Sequence, residues 1–208
     1  MTREATIIDF KEGRFHVFPE VYKPSDDTYL LLDNMEVELN AEVLEVGCGC
    51  GILSIVAAER ARSVTALDVN PQAVLCAKFN AEQNGVSDKV EVYCGDMLTA
   101  VRGDRKFDVV LFNAPYLPTD AGESGGFLEK AWAGGEAGRG MIDRFLDSIG
   151  NHIKLGGSFQ MVQSSLSDID KTIAIATEMG FEAKVVAEKR FMFERLCIIR
   201  ARLTRLRS

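Results

Sequence analysis

Apolar positions along the chain fall into two rhythms that take turns. Ser25-Asp26-Asp27, polar residues able to cap a helix, precede TYLLLDNM, whose apolar residues recur at helical spacing and predict a first helix from about Asp26 to Glu36. EVLEV, from Glu42 to Val46, reads as a short buried strand running directly into Gly47-Cys48-Gly49-Cys50-Gly51 and the helical run ILSIVAAERA. SVTALDV gives a second strand. Pro71 opens a helix that continues through Asn80, and an Asn84-Gly85 turn leads to the third strand, KVEVYC, from Lys89 to Cys94. KFDVVLF, from Lys106 to Phe112, is a fourth strand; it ends on Asn113-Ala114-Pro115-Tyr116, where a proline without an N–H stops the ladder.

A long segment rich in glycine follows, from Gly122 to Gly140, and loops of that length inside a domain usually serve function. Next come a helix from about Met141 to Ile153, the strand SFQMVQS, and a helix from about Ser167 to Met179 that Gly180 stops. EAKVVAEKR and ERLCIIRAR close the chain as a β-hairpin. The seven strands, interleaved with helices, imply an α/β fold. Its sheet is mostly parallel and covered on both faces, and the C-terminal hairpin adds one antiparallel strand. With no internal repeat and no Pro/Ser-rich linker, residues 1–208 read as a single domain, with 1–24 as an N-terminal arm.

Composition narrows the partners. The formal net charge of -7 repels a bare phosphate backbone, which argues against nucleic acid. Five cysteines, an odd number, and a start (MTREATIIDF) lacking both the basic residues and the apolar run of a secretory signal imply reduced thiols and a cytoplasmic protein. No stretch approaches the roughly 18 apolar residues of a membrane span. Cys48 and Cys50 form a C-x-C pair, but Cys76, Cys94 and Cys197 are scattered and only His16 and His152 offer imidazoles. No zinc-ligand spacing results, so the pair reads as small loop residues and no metal is expected.

The chemistry-bearing residues stand at strand ends. In Glu45-Val46-Gly47-Cys48-Gly49-Cys50-Gly51, Gly47, Gly49 and Gly51 let the backbone approach a nucleotide-like ligand, and amides near the helix N-terminus can bind a carboxylate. A dinucleotide fingerprint places its third glycine one residue later, so the spacing argues against a nicotinamide enzyme. Asp68 closes the second strand about twenty residues beyond, where a carboxylate accepts from both ribose hydroxyls; a solvated loop acid is the plainer alternative. Asp96, after the third strand, can accept from an exocyclic adenine amine with Met97 packed on the ring, or can simply cap a helix.

Asn113 to Tyr116 carries the reaction. The nitrogen lone pair of an amide or aromatic amine is delocalised, so activation must redirect it. The Asn113 side-chain carbonyl and the Pro115 backbone carbonyl can accept both N–H hydrogens while Tyr116 stacks on the planar group. A turn that begins with Asn and contains Pro is the alternative for the same residues.

Together these residues resemble the HemK/PrmC-like methyltransferases, in particular the short eukaryotic and archaeal branch that modifies the glutamine of the Gly-Gly-Gln loop in class I release factors. The resemblance runs through Val21-Tyr22-Lys23-Pro24-Ser25-Asp26-Asp27-Thr28, Glu45 to Gly51, Asn113 to Tyr116, Ala131-Trp132-Ala133-Gly134-Gly135, Gly138-Arg139 and Asp143-Arg144-Phe145. It implies a Rossmann-like class I fold, S-adenosyl-L-methionine as cofactor, and a pocket formed by Thr28, Glu45, Gly47, Asp68, Asp96, Met97 and Asn113. It also implies a class I release factor as substrate and a small zinc-binding activator subunit paired along the third strand. The family motif has Asn-Pro-Pro-Tyr; Ala114 replaces its first proline and leaves both acceptors in place.

Two other functions fit the same residues. N6-methylation of adenine in DNA or RNA presents a similar planar N–H pair, although acidic charge and the absence of a target-recognition region disfavour it, because a flipped base costs energy and its strand must be held. The arginines of the C-terminal tail argue the other way, but read as a solvated strand end. A non-catalytic cofactor-binding subunit is the second alternative, and retention of Asn113 and Tyr116 speaks against it.

Overall fold

The computed structural model describes residues 5–115 and 138–206. It opens on two strands absent from the sequence expectation. β1 (Thr6–Phe10) and β2 (Gly13–Val17) form an antiparallel hairpin within the arm. Helix α1 (Asp26–Asn34) follows, then β3 (Glu42–Val46), α2 (Ile52–Ala58), β4 (Ser63–Asp68), α3 (Pro71–Gln83), β5 (Val90–Cys94) and β6 (Phe107–Asn113). After the second described stretch begins come α4 (Gly140–Ile149), β7 (Ile153–Ser164), α5 (Ile169–Glu178), β8 (Phe181–Arg190) and β9 (Arg195–Leu203).

Seven strands form one sheet in the order β5-β4-β3-β6-β7-β9-β8. β5 to β7 run parallel, and β9 enters antiparallel between β7 and β8, so one strand of the closing hairpin reverses direction. The parallel strands therefore end at one edge, where open sheets of this kind bind ligands. Both faces are covered. In β3, Val43 joins the core beneath α1, α2 and α3, while its neighbours Leu44 and Val46 join the core beneath α4 and α5. Burial on both sides explains why these strands read as apolar runs rather than strict alternations.

The junction between α4 and β7 moves from its expected place, and β7 starts at Ile153 rather than Ser158. Ile149 and Ile153 stand at helical spacing, but the helix stops at Ile149, the His152 amide donates to the Ile149 carbonyl at 2.9 Å, and Ile153 begins β7 opposite Phe107. Both isoleucines are buried, one on each element, so the helical period between them is coincidental. The glycine-rich segment up to residue 137, Ala131 to Gly135 included, lies outside the described residues.

Asn80, buried on α3, fixes the arm. Its Oδ1 accepts from the His16 amide at 2.8 Å, and its Nδ2 donates to the carbonyls of His16 at 2.7 Å and Cys50 at 2.8 Å. One side chain thus ties the N-terminal hairpin, the glycine loop and α3 together. Among the described residues no helix is long and apolar enough to cross a membrane.

Candidate active site

A cleft opens at the carboxyl edge, bounded by the ends of β3, β4 and β6, the loop after β5, and Glu20, Tyr22 and Pro24 of the arm. Thr28, Glu45, Gly47, Gly49, Asp68, Asp96, Met97, Asn113 and Pro115 all line it. Gly47 is left-handed at φ 71°, and a Cβ built on it meets nothing within 4 Å, so a side chain there would occupy the open cleft. Gly51 does not line the cleft. At φ 82° it caps α2, and a Cβ would stand 2.9 Å from that of Ala77, which makes it the contact between α2 and α3 rather than a ligand contact. Ala114 also turns away, into the core beneath α4. Tyr116 lies outside the described residues.

The acids differ in environment. Asp68 accepts the Gly49 amide through Oδ2 and the Asn70 amide through Oδ1, each at 2.8 Å, so it shapes the glycine loop as well as facing the cleft. Burial still raises its pKa. Glu45 is fully buried, accepts the Ser54 hydroxyl, and is pushed up to about 8 by burial, with the negative Asp68 adding to the rise. The Asp96 side chain makes no capping bond to the turn that follows it; one of its carboxylate oxygens takes Arg144 Nη2 at 2.8 Å. Met97 is buried although its φ is 53°, a left-handed strain of order 1 kcal/mol that its surroundings hold in place.

Asn113 is oriented by a chain of hydrogen bonds. Its Nδ2 donates to Thr28 Oγ1 at 3.3 Å, Thr28 Oγ1 donates to Asp27 Oδ1 at 3.0 Å, and Tyr22 Oη donates to Asp27 Oδ2 at 2.8 Å. Because the Thr28 proton is committed to a carboxylate, its oxygen accepts, and the amide nitrogen of Asn113 must face it. Asn113 Oδ1 is left buried without a partner at the wall of the cleft. An orphaned buried acceptor costs about 1–3 kcal/mol, which a donor arriving in the cleft would recover.

Tyr22, Asn70 and Met141 also line the cleft, and residue-by-residue reading of strand ends did not single them out. Asn70 had a signal: an Asn-Pro pair two residues after Asp68 marks a helix N-cap, and its Oδ1 does accept the Gln72 amide at 2.9 Å while its Nδ2 donates to the Glu20 carbonyl at 2.7 Å. Cys48 and Cys50 are buried free thiols whose pKa values burial raises, that of Cys50 to about 12. Among the described residues no group of three or more His, Cys, Asp or Glu is placed to hold a metal.

A seven-stranded sheet with one reversed strand, a left-handed glycine loop and strand-end acids around one cleft define a class I, S-adenosylmethionine-dependent methyltransferase. The methyltransferase small domain model matches residues 17–125, and the chain belongs to that family. A Methanocaldococcus jannaschii protein bearing the provisional name of protein N5-glutamine methyltransferase is 40% identical over 94% of this chain and 98% of its own. Human methyltransferase HEMK2 is 30% identical over 88% of this chain and 90% of its own. In fold, the chain is similar to the Encephalitozoon cuniculi Mtq2-Trm112 complex described as methylating the eRF1 termination factor. That structure has a TM-score of 0.66 and 24% identity, over 88% of this chain and 98% of that one.

Proposed function

We propose that this enzyme transfers a methyl group to the side-chain amide nitrogen (N5) of a protein glutamine, in the Gly-Gly-Gln loop of a class I release factor. The observation that carries the reading is the buried, unpartnered Asn113 Oδ1, whose orientation Thr28 and Asp27 fix before any acceptor arrives. The names of the relatives support the same acceptor: a protein glutamine for the archaeal one and a termination factor for the Mtq2 complex.

The residues present fit S-adenosylmethionine: an open face at Gly47, and acids at the ends of β4 and β5. Asp68 would take the ribose hydroxyls, Asp96 the adenine amine, and Met97 the ring, with Thr28, Glu45 and the amides of Gly47 and Gly49 around the methionine portion. When bound, the cofactor supplies an electrophilic methyl on a sulfonium. Asn113 Oδ1 and the Pro115 carbonyl each accept one N–H of the substrate amide, which holds the nitrogen with its lone pair out of conjugation and toward that methyl. Stacking on the amide plane is the role assigned to Tyr116, which lies outside the described residues. One of the two nitrogen protons then leaves to solvent, with no metal or strong base required.

The third strand of the sequence expectation is β5, an edge of the sheet bonded only to β4 among the described residues. Tyr93 on it is 50% exposed; Val69, on the loop after β4 and against Cys94, and Leu75, on α3, are exposed as well. A strand edge with apolar neighbours suits a covering partner, and a small zinc-binding activator of the Trm112 type is the subunit we assign to it. The reaction belongs to the cytoplasm, where translation terminates.

Labelled S-adenosylmethionine incubated with a purified class I release factor, with and without a co-expressed Trm112 homologue, tests the reading. Label should enter the factor at the Gly-Gly-Gln glutamine. Asn113→Ala should lose transfer by about 100-fold or more while cofactor affinity stays within a few-fold. Label on DNA or RNA and none on the factor would overturn the assignment.

A further inference from the structure

The turn joining β8 to β9 is built from residues that turns avoid. Tight hairpin connections favour Gly, Asn and Asp, yet this one presents Phe191, Met192 and Phe193, the last two each 87% exposed. The turn is braced. The Phe191 amide donates to the Glu194 carbonyl at 2.7 Å, and Glu188 binds Arg190 at 2.7 Å and Arg195 at 2.9 Å. Two further bonds fasten it to the site's edge. The Arg195 amide donates to Ser165 Oγ at 3.0 Å, just past the end of β7, beside exposed Leu166. Lys189 Nζ meets Asp26 at 2.9 Å, and Asp26 stands two residues before Thr28, which holds Asn113.

Topology explains the placement. β9 runs antiparallel to β7, with Leu196 opposite Ser164, so its start lies at the edge where β6 ends on Asn113. β9 is two strands from β6, about 10 Å at ordinary strand spacing. A rigid apolar tip therefore stands beside the mouth of the cleft.

We propose that Phe191, Met192 and Phe193 dock the acceptor protein itself, entering an apolar hollow next to its glutamine loop. This rests on the protein-glutamine reading above. Two other occupants fit less well. An anionic membrane needs free cations beside the apolar tip, but Lys189, Arg190 and Arg195 are already engaged by Asp26 and Glu188, and the chain carries a net charge of -7. A second copy of the chain needs an interface of about 1,000 Å² or more, beyond what three side chains supply.

The double variant Met192→Ser/Phe193→Ser changes only exposed side chains, and Met192→Leu/Phe193→Leu keeps the tip apolar. In the release-factor assay the serine variant should raise KM for the factor tenfold or more, leaving kcat and cofactor affinity at their unaltered values, and the leucine variant should stay within about twofold. An unchanged KM in the serine variant would overturn the docking role. So would a loss confined to kcat or to cofactor affinity, or a loss of vesicle binding (phosphatidylserine-containing liposomes) or of dimer on gel filtration with KM unaltered. Absence of transfer by the unaltered enzyme would instead refute the glutamine reading itself.

Discussion

Glu45 is the residue whose chemistry departs furthest from what its letter suggests. Its carboxyl, raised to about 8 from an ordinary 4.5 by burial, keeps a proton in the folded chain between those values that the unfolded chain releases. This contribution to stability is therefore fully present below about pH 4.5 and declines as pH rises toward 8, by up to about 1.4 kcal/mol per pH unit. A cationic ligand favours the carboxylate, so cofactor affinity should rise over the same window. Glu45→Gln should flatten both profiles, read as thermal unfolding and as calorimetric binding from pH 5 to 9. Thr28 acts on orientation instead. Thr28→Val removes the acceptor for Asn113 Nδ2, frees the amide to flip, and should lower kcat by about 10–100-fold while the melting temperature shifts little. The strand-end positions of Gly47, Asp68, Asp96 and Asn113 were legible in the sequence because a buried apolar run ends abruptly at each. The protonation of Glu45 and the orientation of Asn113 were not, since both arise from neighbours remote in sequence such as Ser54 and Thr28.

Between elements, the glycine loop and its two helices form the unit that matters most. All seven residues of α2 are buried, and α2 meets α3 where Gly51 touches Ala77. Gly51→Ala adds a methyl 2.9 Å from Ala77 Cβ and forces a side chain onto φ 82°, and should cost about 2 kcal/mol in denaturant unfolding. Adding Ala77→Gly should recover only part of that, because it relieves the contact and not the dihedral. The three glycines look alike in sequence, yet one serves packing and two line the cleft. Spacing cannot separate those roles, because they depend on which helix crosses behind the loop.

At the scale of the molecule, the sheet leaves β5 as an edge with no second strand on it among the described residues, and Tyr93 is exposed there. If a small activator covers that edge, Tyr93→Lys should abolish its co-purification and reduce methyl transfer. Cofactor binding by the isolated chain should remain, because Tyr93 does not line the cleft. The net charge of -7 agrees with a protein acceptor. The closing hairpin stands out at this scale too: its apolar tip reads from sequence as an unremarkable connection, and only the antiparallel insertion of β9 brings it beside the site.

The sequence by itself determined the order of strands and helices, the glycine loop, and the strand-end acids, because burial on both faces and the backbone limits of glycine and proline act locally. Tertiary structure decided the rest. The β1–β2 hairpin is short, buries only Phe15 and Val17, and is tied down by Asn80 on α3 and Asn84 just past its end. The end of α4 was set by Ile153 pairing with Phe107. The buried, unpartnered oxygen of Asn113 depends on Thr28, a residue on α1 that only the folded sheet brings within hydrogen-bonding distance. Contacts between distant segments leave no period to read, and these contacts orient the site.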